Sequence, residues 1–245
     1  MISLATATWP DLPASPLVVV PLGSVEQHGH HLPLSTDTVV AVAVAEAVAP
    51  ALDGALLAPA IPYGASGEHE GFPGTISLGT EALTGLLVEY GRSACRWAAR
   101  LLIVNGHGGN LDALRAAGRL LRTEGRDVAW FSCGTPDGDA HAGRTETSLM
   151  LHVEPEGVLG DRAVAGEAEP IASLLPRLRA EGVRSVSPTG VLGDPAGATA
   201  EEGALVLDDL ARRLLAVASA WRVAADGRLL GDVPANVIKG VGGAG

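Results

Sequence analysis

Leu17-Val18-Val19-Val20-Pro21-Leu22 is a six-residue apolar run with three consecutive valines. A short, unbroken run rich in β-branched residues fits a strand covered on both faces, as in a parallel sheet. Working outward, Thr38–Leu52 reads as a buried helix and Ala55–Ile61 as a second strand. Thr80–Ala99 carries Leu83, Leu86, Leu87 and Tyr90 at helical spacing. Leu101–Val104 is another strand, closed at once by a glycine turn. Leu111, Leu114, Ala117 and Leu121 mark one helix face, Asp127–Cys133 is a further strand, and a short helix starts near Thr145. Strands alternating with helices predict an α/β fold, a layered sandwich around a mostly parallel central sheet.

Glu154 to Ala200 is rich in Pro and Gly, so loops and short elements are expected there, covering the site or forming subunit contacts. Glu201–Ala220 reads as a terminal helix with Leu207, Leu210, Leu214 and Leu215 inward. Asp208–Arg212 and Asp209–Arg213 are i,i+4 pairs on it. The organisation expected is one domain over residues 1–245, with 225–245 a partly flexible tail and Gly240–Gly245 frayed.

The 245 residues suffice for a sizeable core. With 47% hydrophobic but only 3% aromatic residues, Ala, Val, Leu and Gly must fill it. A formal net charge of −11 gives no electrostatic reason to bind nucleic acid or an anionic membrane. The first basic residue is Arg92, so a secretory n-region is not expected. The longest apolar stretch, Val39–Ala45, is far too short to span a bilayer. A cytoplasmic protein is the expectation, with Cys95 and Cys133 as buried free thiols because they show no ligand spacing.

Three polar clusters follow strands, where parallel sheets bind their ligands. The first is Gly23–Asp37, which begins Gly-Ser-Val-Glu-Gln-His. Glu26 and His28 are two apart, so an extended segment points both to one side, and Asp37 comes just before a helix. Carboxylates mixed with imidazole suit divalent ions such as Zn²⁺, Mn²⁺ or Fe²⁺, whereas a polar loop with surface histidines is the bland alternative. The second is Asn105-Gly-His-Gly-Gly-Asn110. It opens a helix, yet its spacing matches neither the dinucleotide fingerprint nor the P-loop, so His107 as a metal ligand fits better than a phosphate cradle. The third is His141-Ala-Gly-Arg-Thr-Glu-Thr-Ser148, where Glu146 is a ligand or simply an acidic residue at a helix start. Taken together, Glu26, His28, Asp37, His107 and Glu146 bring three negative charges to one sheet edge, to be set against the four positive charges of two divalent ions. Gly64–Thr75 holds Ser66, Glu68, His69, Glu70 and Thr75, which either line a substrate cleft or belong to a solvated glycine-rich loop.

These segments, with Phe72-Pro-Gly-Thr75 and Gly190-Val-Leu-Gly-Asp-Pro195, resemble the creatininase family over about Leu17 to Leu215. The resemblance implies amide hydrolysis with two divalent metal ions per chain, zinc first, with iron or manganese at one site. It implies Asp37 as the bridging ligand, Glu26, His28, His107 and Glu146 completing the shell, and His141 as the catalytic histidine. It also implies a homo-oligomer, often a hexamer. Gly64–Thr75 and His141–Ser148 look closer still to a branch that trims a modified ribosomal precursor peptide and releases its cross-linked C-terminal Val-Tyr portion. Ser66, His69 and Thr75 are then the candidate substrate-binding residues.

Two departures stand out. The creatinine-hydrolysing branch has Glu where this chain has Gly109, which makes creatinine a poor substrate and puts more weight on Glu146. His30 stands where the family usually has Pro and is expected at the surface. The competing readings are a family amidohydrolase acting on a small cyclic amide or formamide, and a metal- or phospholigand-binding module without catalysis.

Overall fold

The computed structural model describes residues 2–135 and 138–231. Gly240–Gly245 and the greater part of the expected tail lie outside the described residues. The strands are β1 (Ile2–Ser3), β2 (Leu17–Leu22), β3 (Ala55–Leu57), β4 (Arg100–Asn105) and β5 (Val128–Ser132). They form one sheet in the order β1-β3-β2-β4-β5, and every pairing is parallel. The two-residue β1 has no sequence signature. β3 is shorter than expected, because Pro59 lacks an N–H to continue the ladder, and a single bridge between Leu22 and Ile61 follows.

The helices are α1 (Thr36–Val48), α2 (Gly79–Ala94), α3 (Leu111–Thr123), α4 (Arg144–Val153), α5 (Ile171–Glu181), α6 (Val183–Val186) and α7 (Ala200–Ala220). Side chains alternate across the sheet as the pleat requires. Val18, Val20, Leu22, Leu101 and Ile103 pack under α2 and α3, while Val19, Leu102 and Val104 pack under α1, α4 and α7. The continuous valine run therefore serves two cores at once, one on each face. On α7, Leu210 and Leu214 are buried, Leu207 and Leu215 pack at the core edge, and Thr199 caps the helix by accepting the Glu202 N–H at 3.1 Å. Both expected i,i+4 ion pairs are present, at 2.9 and 2.8 Å.

α5 departs from the loop expected between Glu154 and Ala200. Pro170, Pro176 and Gly182 read as breakers, yet Leu174 and Leu178 bury one helical stripe in a small cluster with Val183, Val186 and Leu192. Cys133 is buried, and burial pushes its thiol up to about 12; Cys95 is only half-buried. Among the described residues no helix is long and apolar enough to cross a membrane.

The chain winds one way from β2 to β3 and the other way from β4 to β5. The crevice between the C-terminal ends of β2 and β4 is thus the sheet's topological switch point, where ligands of such folds bind.

Candidate metal centre and active site

β2 and β4 pair in register from Leu17↔Arg100 to Leu22↔Asn105, so the loops that leave them begin side by side. Asn110 ties them together. Its Nδ2 donates to Gly23 O and Asn105 Oδ1, each at 3.0 Å, and its Oδ1 accepts Ala65 N–H at 2.8 Å. α1 begins two residues earlier than the sequence suggests, so Asp37 sits in its first turn, where the helix dipole favours a carboxylate. Gly106 passes directly over the Asp37 backbone, and a Cβ there would collide with the Asp37 carbonyl.

Glu26, His28 and His107 converge on Asp37, and all four are buried. Asp37 Oδ1 lies 3.2 Å from His28 Nε2, and Asp37 Oδ2 lies 3.3 Å from His107 Nδ1. Its two oxygens therefore face two different imidazoles. Glu26 Oε2 is 3.2 Å from the same His107 nitrogen, and Glu26 Oε1 is 3.3 Å from His69 Nε2 and 3.7 Å from His141 Nδ1. Glu146, on the first turn of α4, reaches to 3.9 Å from His28 Nε2. It is aimed by the turn at Ala142, a non-glycine residue at φ +52° whose N–H donates to Glu146 Oε2 at 2.5 Å. His141 precedes that turn and stands beside His28, with ring centroids 4.3 Å apart.

Both oxygens of Glu26 and Oδ2 of Asp37 are buried without a hydrogen-bond partner. Orphaned carboxylate oxygens are costly, and among the described residues only histidines oppose their charge. Burial acts to raise the Glu26 pKa, but the neighbouring imidazoles, His107 foremost, outweigh it and hold it well below the usual range. Burial acts to lower His28, but Asp37, Glu146 and Glu26 lift it to about 9; His107 is raised likewise by Glu26 and Asp37. Burial, with the positive field of His28, lowers His141, and burial takes His69 down to about 3 despite Glu26. The cluster thus demands positive charge, which divalent cations displacing protons from His28 and His107 would also satisfy. Three overlapping groups can each hold an ion: Glu26–His28–Asp37, His28–His141–Glu146 and Glu26–His69–His141. The donor set fits divalent metal.

All five expected ligands are brought together, with His141 beside them. The expected substrate residues part company. His69 joins the buried cluster. Ser66 is fully buried with its hydroxyl on that of Ser24, and Thr75 Oγ1 accepts Gln27 N–H at 3.3 Å, so neither lines the cleft. Gly67 and Glu68 line it instead, in a cleft of about 930 Å³ whose opposite wall is Ile171, Leu175 and Arg179 of α5. His30 is exposed. Glu68 occupies the space left by Gly109: its Oε1 is 3.5 Å from His107 Nε2 and would lie 2.6 Å from a Cβ at 109. It shares that ring nitrogen with Ala65 O at 3.2 Å, so the ring is held from behind. Glu68 is legible in the sequence only as one polar residue of Gly64–Thr75, and the part played by Gln27 inside its motif is not legible at all.

A family model described as creatinine amidohydrolase, of the creatininase family, matches residues 5–218. The chain is 58% identical over 200 residues to the "Mycofactocin precursor peptide peptidase" of Mycolicibacterium smegmatis, covering 80% of this chain and 81% of that one. It is 55% identical over 235 residues to the protein of the same name from Mycobacterium ulcerans, covering 92% and 94%. A mutant creatininase structure described as Zn-Zn type superposes with a TM-score of 0.74 at 29% identity, covering 89% of this chain and 98% of that one.

Gly109→Ala forces its Cβ against the His107 ring, Ala65 O and Glu68. Divalent-ion affinity should fall by about 10–100-fold, the usual effect of disturbing the support of such a ring. Gly108→Ala, whose Cβ meets nothing within 4 Å, should leave it unchanged. Chelator competition on the two variants measures the difference, and equal affinities would show that the ring does not depend on this packing.

Proposed function

The chain belongs to the creatininase family, and we propose that it is a dinuclear-metal peptide hydrolase of mycofactocin biosynthesis. In this reading it cleaves a modified ribosomal precursor peptide near its C-terminus and releases a cross-linked Val-Tyr-derived product. The observation that carries the metal reading is Asp37 turning its two oxygens to His28 and His107, the arrangement a bridging carboxylate needs. The names and identities of the mycobacterial relatives support the peptide substrate. Gly109, lacking the carboxylate of the creatinine-hydrolysing branch, weighs against a small cyclic amide.

Glu26, His28, Asp37, His107 and Glu146 would hold two divalent ions, zinc first, with iron or manganese possible at one site. Such ions supply Lewis acidity, which makes water a competent nucleophile near neutral pH and draws charge from an amide carbonyl. His141 is the proton-transfer group in this reading. Its Nδ1 faces the cluster, and Nε2 donates to Gln27 O at 2.7 Å, which locks the ring. It accepts at Nδ1 the proton given up by the attacking water and returns it to the leaving nitrogen as the C–N bond breaks. Ile171 and Leu175 are one helical turn apart on the cleft wall, 42% and 39% exposed, and offer apolar contact beside the scissile amide. Ser66 and Thr75 shape the recognition loop from behind, through Ser24 and Gln27. The proposal includes a cytoplasmic location and a homo-oligomer, a hexamer by family resemblance. Trp9 at 85% and Leu205 at 72% exposure are apolar surface that such assembly could cover.

Purified protein should carry about two divalent ions per chain. Asp37→Ala should lose both more readily than any other single substitution, and full metal content in that variant would remove the bridging role.

His141→Ala should keep metal and fold while kcat falls by about 10²–10⁴, the scale of a proton-transfer group. Loss of metal with the ring would make His141 a ligand instead.

The decisive assay offers metal-loaded enzyme the modified peptide, the unmodified peptide and creatinine, with products identified by mass. The modified peptide should be cut fastest, because a cross-linked end costs less entropy to hold in a reactive geometry. Creatinine hydrolysis without peptide cleavage would overturn the assignment.

A further inference from the structure

Gln27 lies between Glu26 and His28, and its side chain is buried. Two backbone groups of fixed polarity set the direction of its amide. Gly29 N–H donates to Oε1 at 2.9 Å, and Nε2 donates to the Gly190 carbonyl at 3.0 Å. One amide proton remains, with two ring nitrogens in reach: His69 Nδ1 at 2.9 Å and His141 Nε2 at 3.0 Å. The His141 nitrogen is also 2.7 Å from the backbone oxygen of Gln27, which can only accept. That nitrogen therefore carries a proton and cannot take another from the amide. The remaining amide proton goes to His69 Nδ1, which must offer a lone pair, and the His69 ring proton sits on Nε2.

We infer that Gln27 is a positioning residue that sorts the two histidines into opposite roles toward the centre. His69 turns a proton-bearing Nε2 to Glu26 Oε1, at 3.3 Å, and His141 turns a lone pair, on Nδ1, to the same oxygen at 3.7 Å. His69 then sets an N–H rather than a lone pair beside Glu26 and is not itself a ligand, although it lies close enough to share an ion with Glu26 and His141. His141 is the ring free to accept a proton in the reaction. A doubly protonated His69 would set an N–H against the amide N–H of Gln27, so the geometry itself excludes it. The turnover consequence rests on the hydrolase reading above, whereas the tautomers belong to the resting protein.

The test is nitrogen NMR of zinc-loaded protein labelled with ¹⁵N in its seven histidines, assigned with single His→Asn variants. Wild-type His69 should be protonated at Nε2 with a free lone pair at Nδ1, and His141 protonated at Nε2. In Gln27→Glu the new carboxylate accepts but cannot donate, so the His69 proton should move to Nδ1. With the modified peptide, kcat should then fall by about 10–100-fold with KM little changed, the scale for groups that orient others. Wild-type His69 protonated at Nδ1, or bound to zinc, overturns the inference, and so does a Gln27→Glu protein with unaltered tautomers or unaltered kcat. If Gln27→Glu fails to fold, the wild-type spectrum alone decides. The spectrum needs no substrate, so an enzyme that cuts no peptide yet shows the expected tautomers would sink the peptidase reading alone.

Discussion

Two carboxylates, Glu26 and Asp37, are buried within one cluster whose only described counter-charges are imidazoles, and the rest of the site answers to that fact. Buried like charges repel and lose their hydration, so they persist only where positive charge is supplied. Here it comes from histidines on the loops after β2 and β4, and the orphaned oxygens leave room for more. The same demand makes the site a trap for divalent cations and keeps His28 and His107 far more basic than exposed histidines.

The sheet delivers this charge arrangement by topology. β2 and β4 are neighbours although α1, β3 and α2 separate them in sequence, and the switch point between them gathers loops that leave in opposite directions. Asn110 and Gly106 then hold the two loops at contact distance, one by hydrogen bonds and the other by having no side chain. The donors sit on the loops that leave β2 and β4 and on the first turns of α1 and α4, while the walls of the cleft, Gly67–Glu68 and α5, belong to other segments. That division allows the cleft wall to vary without moving the carboxylate–histidine cluster.

Gly109 and Glu68 illustrate such variation. Where a related branch places a carboxylate at position 109, this chain has a glycine, and the carboxylate of Glu68 fills the vacated space behind His107. Charge is kept near the ring but supplied from the opposite wall. Glu146, on α4, meanwhile stands at the open side of His28.

The sequence by itself determined the layered fold and the gathering of Glu26, His28, Asp37, His107 and Glu146 at one sheet edge. Unbroken apolar runs at Leu17–Leu22 and Leu101–Val104 fit strands covered on both faces, and such sheets place their sites at strand ends, so the charged residues just after those runs were expected to converge. Helical stripes such as Leu210–Leu214 follow from local periodicity in the same way. Only the tertiary structure decided what depends on contacts between distant segments. α5 forms against its breakers because Leu174 and Leu178 find a partner cluster. Ser66 and Thr75 turn away from the cleft because Ser24 and Gln27 claim their hydroxyls. The polarity of His69 and His141 follows from one amide anchored by Gly29 and Gly190, 161 positions apart in the chain. Hydrogen-bond direction is a property of the assembled neighbourhood, and no spacing in the sequence encodes it.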